Sequence, residues 1–136
     1  MSMSLDAINW LAVLGAIIAN MAVGAFYYSP IGMGKAWLRS TGRSTEEVEG
    51  GNGAMALVTI PAALNAVVIA LLASGLGVAT AGSGALLGLL VWAGFVMPTN
   101  WIEVLFDRKS YRTAIINNGN FIITMPLMGA IIGMWG

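Results

Sequence analysis

Residues 91–124 read VWAGFVMPTNWIEVLFDRKSYRTAIINNGNFIIT, and this stretch decides the fold. Two apolar segments meet here across a short basic turn. They are too long for the core helices of a small globular domain, but they match the thickness of a bilayer. Polar side chains lie close to the turn on both sides, namely Glu103, Asn100, Asn117, Asn118 and Asn120. Because polar groups are costly inside a membrane, this is the place where any activity is expected.

The composition agrees with a membrane protein. The chain has 136 residues, of which 58% are hydrophobic and 9% charged, and its mean hydropathy is +0.84. A soluble domain carries about 25% charged residues, so this chain lacks the polar surface that water requires. A net charge of zero argues against a nucleic-acid partner. There is no His and no Cys, which excludes disulfides, thiolate or imidazole metal sites and Ser-His-Asp triads. No metal, no cofactor and no catalytic residue is predicted.

The hydrophobic pattern predicts an all-α integral membrane protein, in which residues 1–136 form a single domain. Four transmembrane helices are expected in an antiparallel bundle, at about residues 7–28, 54–75, 84–106 and 113–135. The first is expected to be a retained span and not a signal peptide, since the six residues before it carry no Lys or Arg. The polar loop 31–53 is predicted to hold a short interfacial helix around Lys35 to Arg39. A plain solvated loop is the alternative.

The cations predict the orientation. All of them fall in the first and third connections, namely Lys35, Arg39, Arg43, Arg108, Lys109 and Arg112. The positive-inside rule then places both basic loops in the cytoplasm and both termini outside, in the cytoplasmic (inner) membrane of the cell. These six side chains are expected to face the lipid headgroups.

Two pairs of glycines have the spacing of close helix packing. Gly84 and Gly88 open the third span, and Gly129 and Gly133 lie near the end of the fourth. Contact with a helix of the same chain is favoured over a dimer face. Pro98 and Pro126 fall inside these two spans, and Pro98 is expected to kink the third, because its ring leaves the carbonyl of Gly94 without a donor.

Polar residues on several spans are predicted to lie at similar depth in the inner half of the membrane. The candidate cavity consists of Asn20, Asn65, Thr99, Asn100, Glu103, Asn117, Asn120 and Thr124. One interpretation is a hydrated cavity that binds a small cation or polar solute, with Glu103 supplying charge. The other, which the sequence favours, is that the amides hydrogen-bond between helices and stabilise the packing.

Several short motifs carry a resemblance to a known family. Asn9-Trp10 opens the first span, and residues 26–30 (FYYSP) close it ahead of residues 34–37 (GKAW). Residues 105–108 (LFDR) and 116–119 (INNG) follow in the second half of the chain. In order and spacing the chain resembles the small membrane proteins grouped as domain of unknown function 1761. The resemblance implies four spans and no established activity.

The predicted function is that of a non-enzymatic membrane protein acting through helix packing. It would be a homo-oligomer or an accessory subunit of another membrane protein, with membrane lipids as its surroundings. The alternative is a small transporter or channel for a cation or polar solute, using the polar cluster around Glu103. A membrane enzyme is the least favoured interpretation, because no nucleophile–base pair emerges from the residues near the inner surface.

Overall fold

The structure is a computed structural model that describes residues 4–29, 31–41, 51–106 and 111–135, with the backbone alone for residues 51–58. Every regular element among these residues is helical. A short 3₁₀ turn, Leu5–Ala7, precedes α1 (Trp10–Tyr27) and α2 (Gly34–Thr41). Then follow α3 (Gly51–Leu76), α4 (Ala81–Val91), a π-helical turn (Trp92–Val96), α5 (Met97–Phe106) and α6 (Tyr111–Trp135).

Four of these segments are long and apolar enough to cross a membrane: Trp10–Tyr27, Thr59–Leu76, Ala81–Phe106 and Tyr111–Trp135. The all-α fold with four transmembrane helices is therefore confirmed. The antiparallel arrangement of all four stays a prediction. The interfacial helix expected after the first span corresponds to α2, whereas Arg43 lies outside the described residues.

The third span begins at Ala81, three residues before its predicted first residue, Gly84, because a capping box starts the helix there. The Thr80 hydroxyl accepts from the Ser83 backbone N–H at 3.1 Å, and the Ser83 hydroxyl accepts from the Thr80 N–H at 3.3 Å. The sequence interpretation had left Ser83 in the connecting turn. α3 likewise starts earlier than predicted, at Gly51, inside the segment expected to be a polar loop.

α6 is the central helix of the molecule. In an apolar stretch of 18 residues of α6, 44% of the residues are buried. The corresponding fraction is 17% in the first and third spans and 28% in the second. Its buried side chains Met125, Met128 and Ile132 pack with small residues of the neighbouring helices. These are Ala12 and Ala16 of α1 and Ala66, Ala70 and Ala73 of α3. Small residues let the helix backbones approach closely, and the flexible Met side chains fill the space that remains.

The two glycine pairs lie against each other where α4 crosses α6. A Cβ on Gly84 would overlap the carbonyl oxygen of Gly129, and a Cβ on Gly129 would overlap that of Gly84. Gly88 lies equally close to the Met125 carbonyl, and Gly133 to the Thr80 carbonyl. Residue numbers run in opposite directions across this contact. All four glycines are therefore occupied within one chain.

The described ends of the helices define two ends of the bundle. At the terminal end, the Asn9 side chain caps α1 and donates from Nδ2 to the carbonyl of Trp135 at 2.9 Å. We call the opposite end, near Tyr28, Phe106 and Tyr111, the basic end, because the two connections that carry all the cations begin or end at these residues.

The third span changes its helical geometry before Pro98. The Met97 N–H bonds to the carbonyl of Trp92, five residues back, in a π-helical turn. Because proline has no N–H to donate, the backbone hydrogen-bond pattern changes in the turn that precedes it. The Thr99 hydroxyl donates to the carbonyl of Phe95 at 2.5 Å and supplies a donor in this disturbed turn. A π-helical turn thus precedes Pro98, and the kink expected there stays a prediction.

Candidate functional site

A hydrogen-bond network centred on Asn118 joins the third and fourth spans in the basic half of the bundle. Asn118 Oδ1 accepts from Trp92 Nε1 at 3.1 Å and from Asn100 Nδ2 at 3.2 Å. Its Nδ2 donates to the carbonyl of Ala114 at 2.9 Å. The Asn118 side chain is buried, so these bonds satisfy an amide that could not otherwise be placed among apolar helices.

Two tyrosines at the end of α1 hold α6 from the other side. The Tyr27 hydroxyl donates to the carbonyl of Ile116 at 2.5 Å, and the Tyr28 hydroxyl donates to Asn117 Oδ1 at 2.7 Å. Gly119 lies directly against the Tyr27 hydroxyl, where a side chain would block this approach. The Tyr-Tyr pair and the Asn-Asn-Gly segment are therefore the two halves of one contact.

The interfacial helix α2 is attached to the same end of α6. Thr113, which is buried, donates from its hydroxyl to Ser40 Oγ at 2.8 Å. The Tyr28 ring meets the Trp37 ring edge to face, with 5.9 Å between their centroids. The basic end is thus a polar and aromatic assembly that links α1, α2, the third span and α6.

The comparison with protein families matches residues 11–133 to a family described as "Protein of unknown function (DUF1761)". The chain belongs to this family. The resemblance seen in the sequence is thereby confirmed, although Asn9 and Trp10 lie just before the matched residues. No curated protein and no solved structure matches the chain significantly.

The DUF1761 match includes both halves of the tyrosine contact and the Asn118 network. The sequence motifs that carry the resemblance at residues 26–30 and 116–119 meet in space, through Tyr27, Tyr28, Ile116 and Asn117. In this DUF1761 chain, motifs about 90 residues apart in sequence therefore form one structural unit.

The structure distributes the eight residues predicted to line a polar cavity over different environments. Asn117 and Asn100 take part in separate hydrogen bonds, to Tyr28 and Asn118. Thr99 is exposed, while Glu103, Asn20 and Asn65 are half-buried. None of the eight lines either of the two cavities described for this molecule, one beside α2 and one at the terminal end.

Asn120 and Thr124 of α6 stand apart from the other six. Both are buried, at 6% and 0% exposure. Asn120 Oδ1 and Thr124 Oγ1 have no hydrogen-bond partner among the residues that the structure describes. They are one helical turn apart on the same face. Buried acceptors without donors are rare in proteins, so this pair needs an explanation.

Of the six cations predicted to face headgroups, the structure describes three. Lys35, Arg39 and Arg112 are exposed at the basic end. Arg112 donates from Nε to the Tyr111 hydroxyl at 3.4 Å, and its guanidinium also lies over the Tyr111 ring. Arg43, Arg108 and Lys109 lie outside the described residues.

The sequence interpretation missed Asn118 as a site residue, and with it Trp92. A signal for both was present. Asn118 lies eleven residues before Gly129, about three helical turns, so the two share a face of α6. Trp92 continues the spacing of Gly84 and Gly88 by four residues. Extending the two glycine faces toward the basic end would have brought Trp92 and Asn118 together.

Proposed function

We propose that this DUF1761 protein is a non-enzymatic membrane protein that acts by pairing with a second copy of itself. The pairing surface is the exposed face of α5 and the turn before it. One observation carries the proposal: none of the ten residues of Met97–Phe106 is buried, whereas α1, α4 and α6 each contain buried residues. A helix of a second copy would cover this face and pack against its side chains.

The spacing of the exposed side chains supports a helix as the occupant. Phe95, Thr99, Ile102 and Phe106 are all exposed, at intervals of four, three and four residues. This is the spacing by which side chains of one helix fit between those of a partner in a left-handed crossing. In a two-fold symmetric contact, this face would pack against the same face of the second copy.

Two further features support this choice of surface. The glycines of α4 and α6 are occupied within the chain, so they do not provide the dimer face. The exposed large side chains of α4 are Leu86, Leu89 and Leu90, which are ordinary lipid-facing residues. The segment of the third span in which no residue is buried, Met97–Phe106, lies in the basic half.

Disulfide cross-linking in membranes tests the pairing, because the chain has no cysteine of its own. Thr99→Cys places a thiol on the proposed surface. Ile18→Cys is the control, since Ile18 is exposed on a different helix, α1. Oxidation should link Thr99→Cys chains into dimers and leave Ile18→Cys chains monomeric. Equal cross-linking of both variants, or of neither, would reject the surface.

A small carrier for a cation or polar solute is the second candidate. The buried, unpartnered oxygens of Asn120 and Thr124 favour it, because neutral oxygens are ligands for such solutes. Thr124→Val keeps the shape of the side chain and removes the hydroxyl. If liposomes containing the wild-type protein pass sodium or potassium ions, this variant and Glu103→Gln should lose the flux. Absence of wild-type flux, or unchanged flux in both variants, would eliminate the carrier.

A further inference from the structure

A cavity of about 410 Å³ lies at the basic end between α2 and the start of α6. Its volume falls within the range of about 300–1,000 Å³ that is typical of small-molecule sites. The residues that line it are Ala36, Arg39, Ser40, Arg112, Ile115 and Ile116. The cavity is independent of the proposed pairing surface, since α5 contributes none of these residues.

The lining combines two kinds of chemistry. Arg39 and Arg112 supply guanidinium groups, which bind phosphate oxygens through paired N–H donors. Ala36, Ile115 and Ile116 supply an apolar wall. None of these six described lining residues is acidic. Cations beside an apolar surface suit a ligand that is itself a phosphate attached to hydrocarbon.

The position of the cavity points to the same ligand. α2 places Arg39 on an exposed surface, and the Thr113–Ser40 hydrogen bond holds that helix against α6. Arg112 and Ile115 both lie within the first turn and a half of a helix long and apolar enough to span a membrane. Headgroup phosphates lie at this level of a bilayer, with acyl chains beginning just below.

We propose that this cavity binds one anionic phospholipid, with Arg39 and Arg112 on its phosphate and Ile115 and Ile116 against the start of an acyl chain. The site differs from the diffuse attraction of a basic loop for an anionic surface, because it selects by geometry as well as by charge. A neutral, zwitterionic phospholipid offers the same phosphate but brings its own cation toward the two arginines, so it binds less well.

The full chain in nanodiscs of phosphatidylcholine with a minor share of phosphatidylglycerol provides the test. After extraction in mild detergent, native mass spectrometry counts the lipids that remain bound. The wild-type protein should retain phosphatidylglycerol in preference to phosphatidylcholine. Arg39→Gln and Arg112→Gln should each lower that retention about tenfold, the effect expected for loss of a charged hydrogen-bonding partner. Arg39→Lys keeps the charge without the paired donors, so its retention of phosphatidylglycerol should lie between those of the wild-type protein and Arg39→Gln.

Lys35→Gln is the matched control, because it removes the same charge from an exposed position on α2 outside the cavity lining. Equal losses in Lys35→Gln and Arg39→Gln would overturn the proposal in favour of diffuse attraction. A second measurement uses the wild-type protein alone, so its result does not depend on whether the variants fold. Equal retention of the two lipids would overturn the site. Displacement of phosphatidylglycerol by millimolar inorganic phosphate would identify free phosphate as the ligand and overturn the lipid assignment.

Discussion

The two halves of the third span are held to α6 in opposite ways. α4 meets α6 through bare backbone, with Gly84 and Gly88 against Gly129 and Met125. α5 is joined to α6 by the hydrogen bond from Asn100 to Asn118, and none of its ten residues is buried. Close packing occupies the glycine face of the first half. A side-chain tether fixes the second half and still leaves a face open.

The comparison shows where each type of membrane interaction is used. Contact between glycine backbones gains dispersion energy over many atoms and needs no polar group. Amide and indole hydrogen bonds hold two helices at a larger separation, because the side chains bridge the distance. The π-helical turn Trp92–Val96 lies at the boundary between the two modes. This turn therefore separates a half held by backbone contact from a half held by a side-chain hydrogen bond.

Substitution in the glycine contact should give the largest effect. Gly84→Ala places a Cβ against the Gly129 carbonyl, which is backbone and cannot move aside. The free energy of unfolding in detergent should fall by about 3 kcal/mol, the upper end of the range for overpacking. Thermal or denaturant unfolding followed by circular dichroism measures this. Gly94→Ala is the control, because nothing lies within 4 Å of its added Cβ. Similar losses for both would contradict the contact.

Removal of the Asn118 amide should give an intermediate effect that is confined to the basic half. Asn118→Leu leaves Trp92 Nε1 and Asn100 Nδ2 without their acceptor, at a cost of about 2 kcal/mol. Amide hydrogen exchange should become faster in Met97–Phe106 and stay unchanged in Ala81–Val91. Asn20→Leu, which changes a half-buried amide outside this network, should leave both halves unchanged. Uniform acceleration along the span would show that the two halves are not independent.

The tyrosine contact should give the smallest effect. Tyr28→Phe removes the hydrogen bond to Asn117 while keeping the ring against Trp37. Side-chain hydrogen bonds in membrane proteins contribute about 0.6 kcal/mol on average, and a double-mutant cycle with Asn117→Ala should give a coupling of about that size. Tyr111→Phe, at an exposed position, serves as the reference. A coupling energy of zero would mean that the bond only orients the ring.

Two residues of the site, Asn100 and Asn117, could be named from the sequence, but their hydrogen-bond partners could not. The sequence placed Asn100 and Asn117 at similar depth, because depth follows from counting residues along each span. It did not show that Asn100 bonds to Asn118 while Asn117 bonds to Tyr28, since partner choice depends on how each helix is rotated. The burial of Asn120 and Thr124 without partners was beyond its reach for the same reason.

The sequence by itself determined that this is a membrane protein, that it has four apolar spans and that it belongs to the DUF1761 family. Length and hydropathy are sufficient for the spans, because each span satisfies its own backbone and needs no information about its neighbours. The short sequence motifs carry the family membership. Only the tertiary structure decided that α6 is central, that the glycines pair within the chain and that α5 stays exposed. These depend on helix rotation and crossing, which small differences in packing between similar apolar faces control.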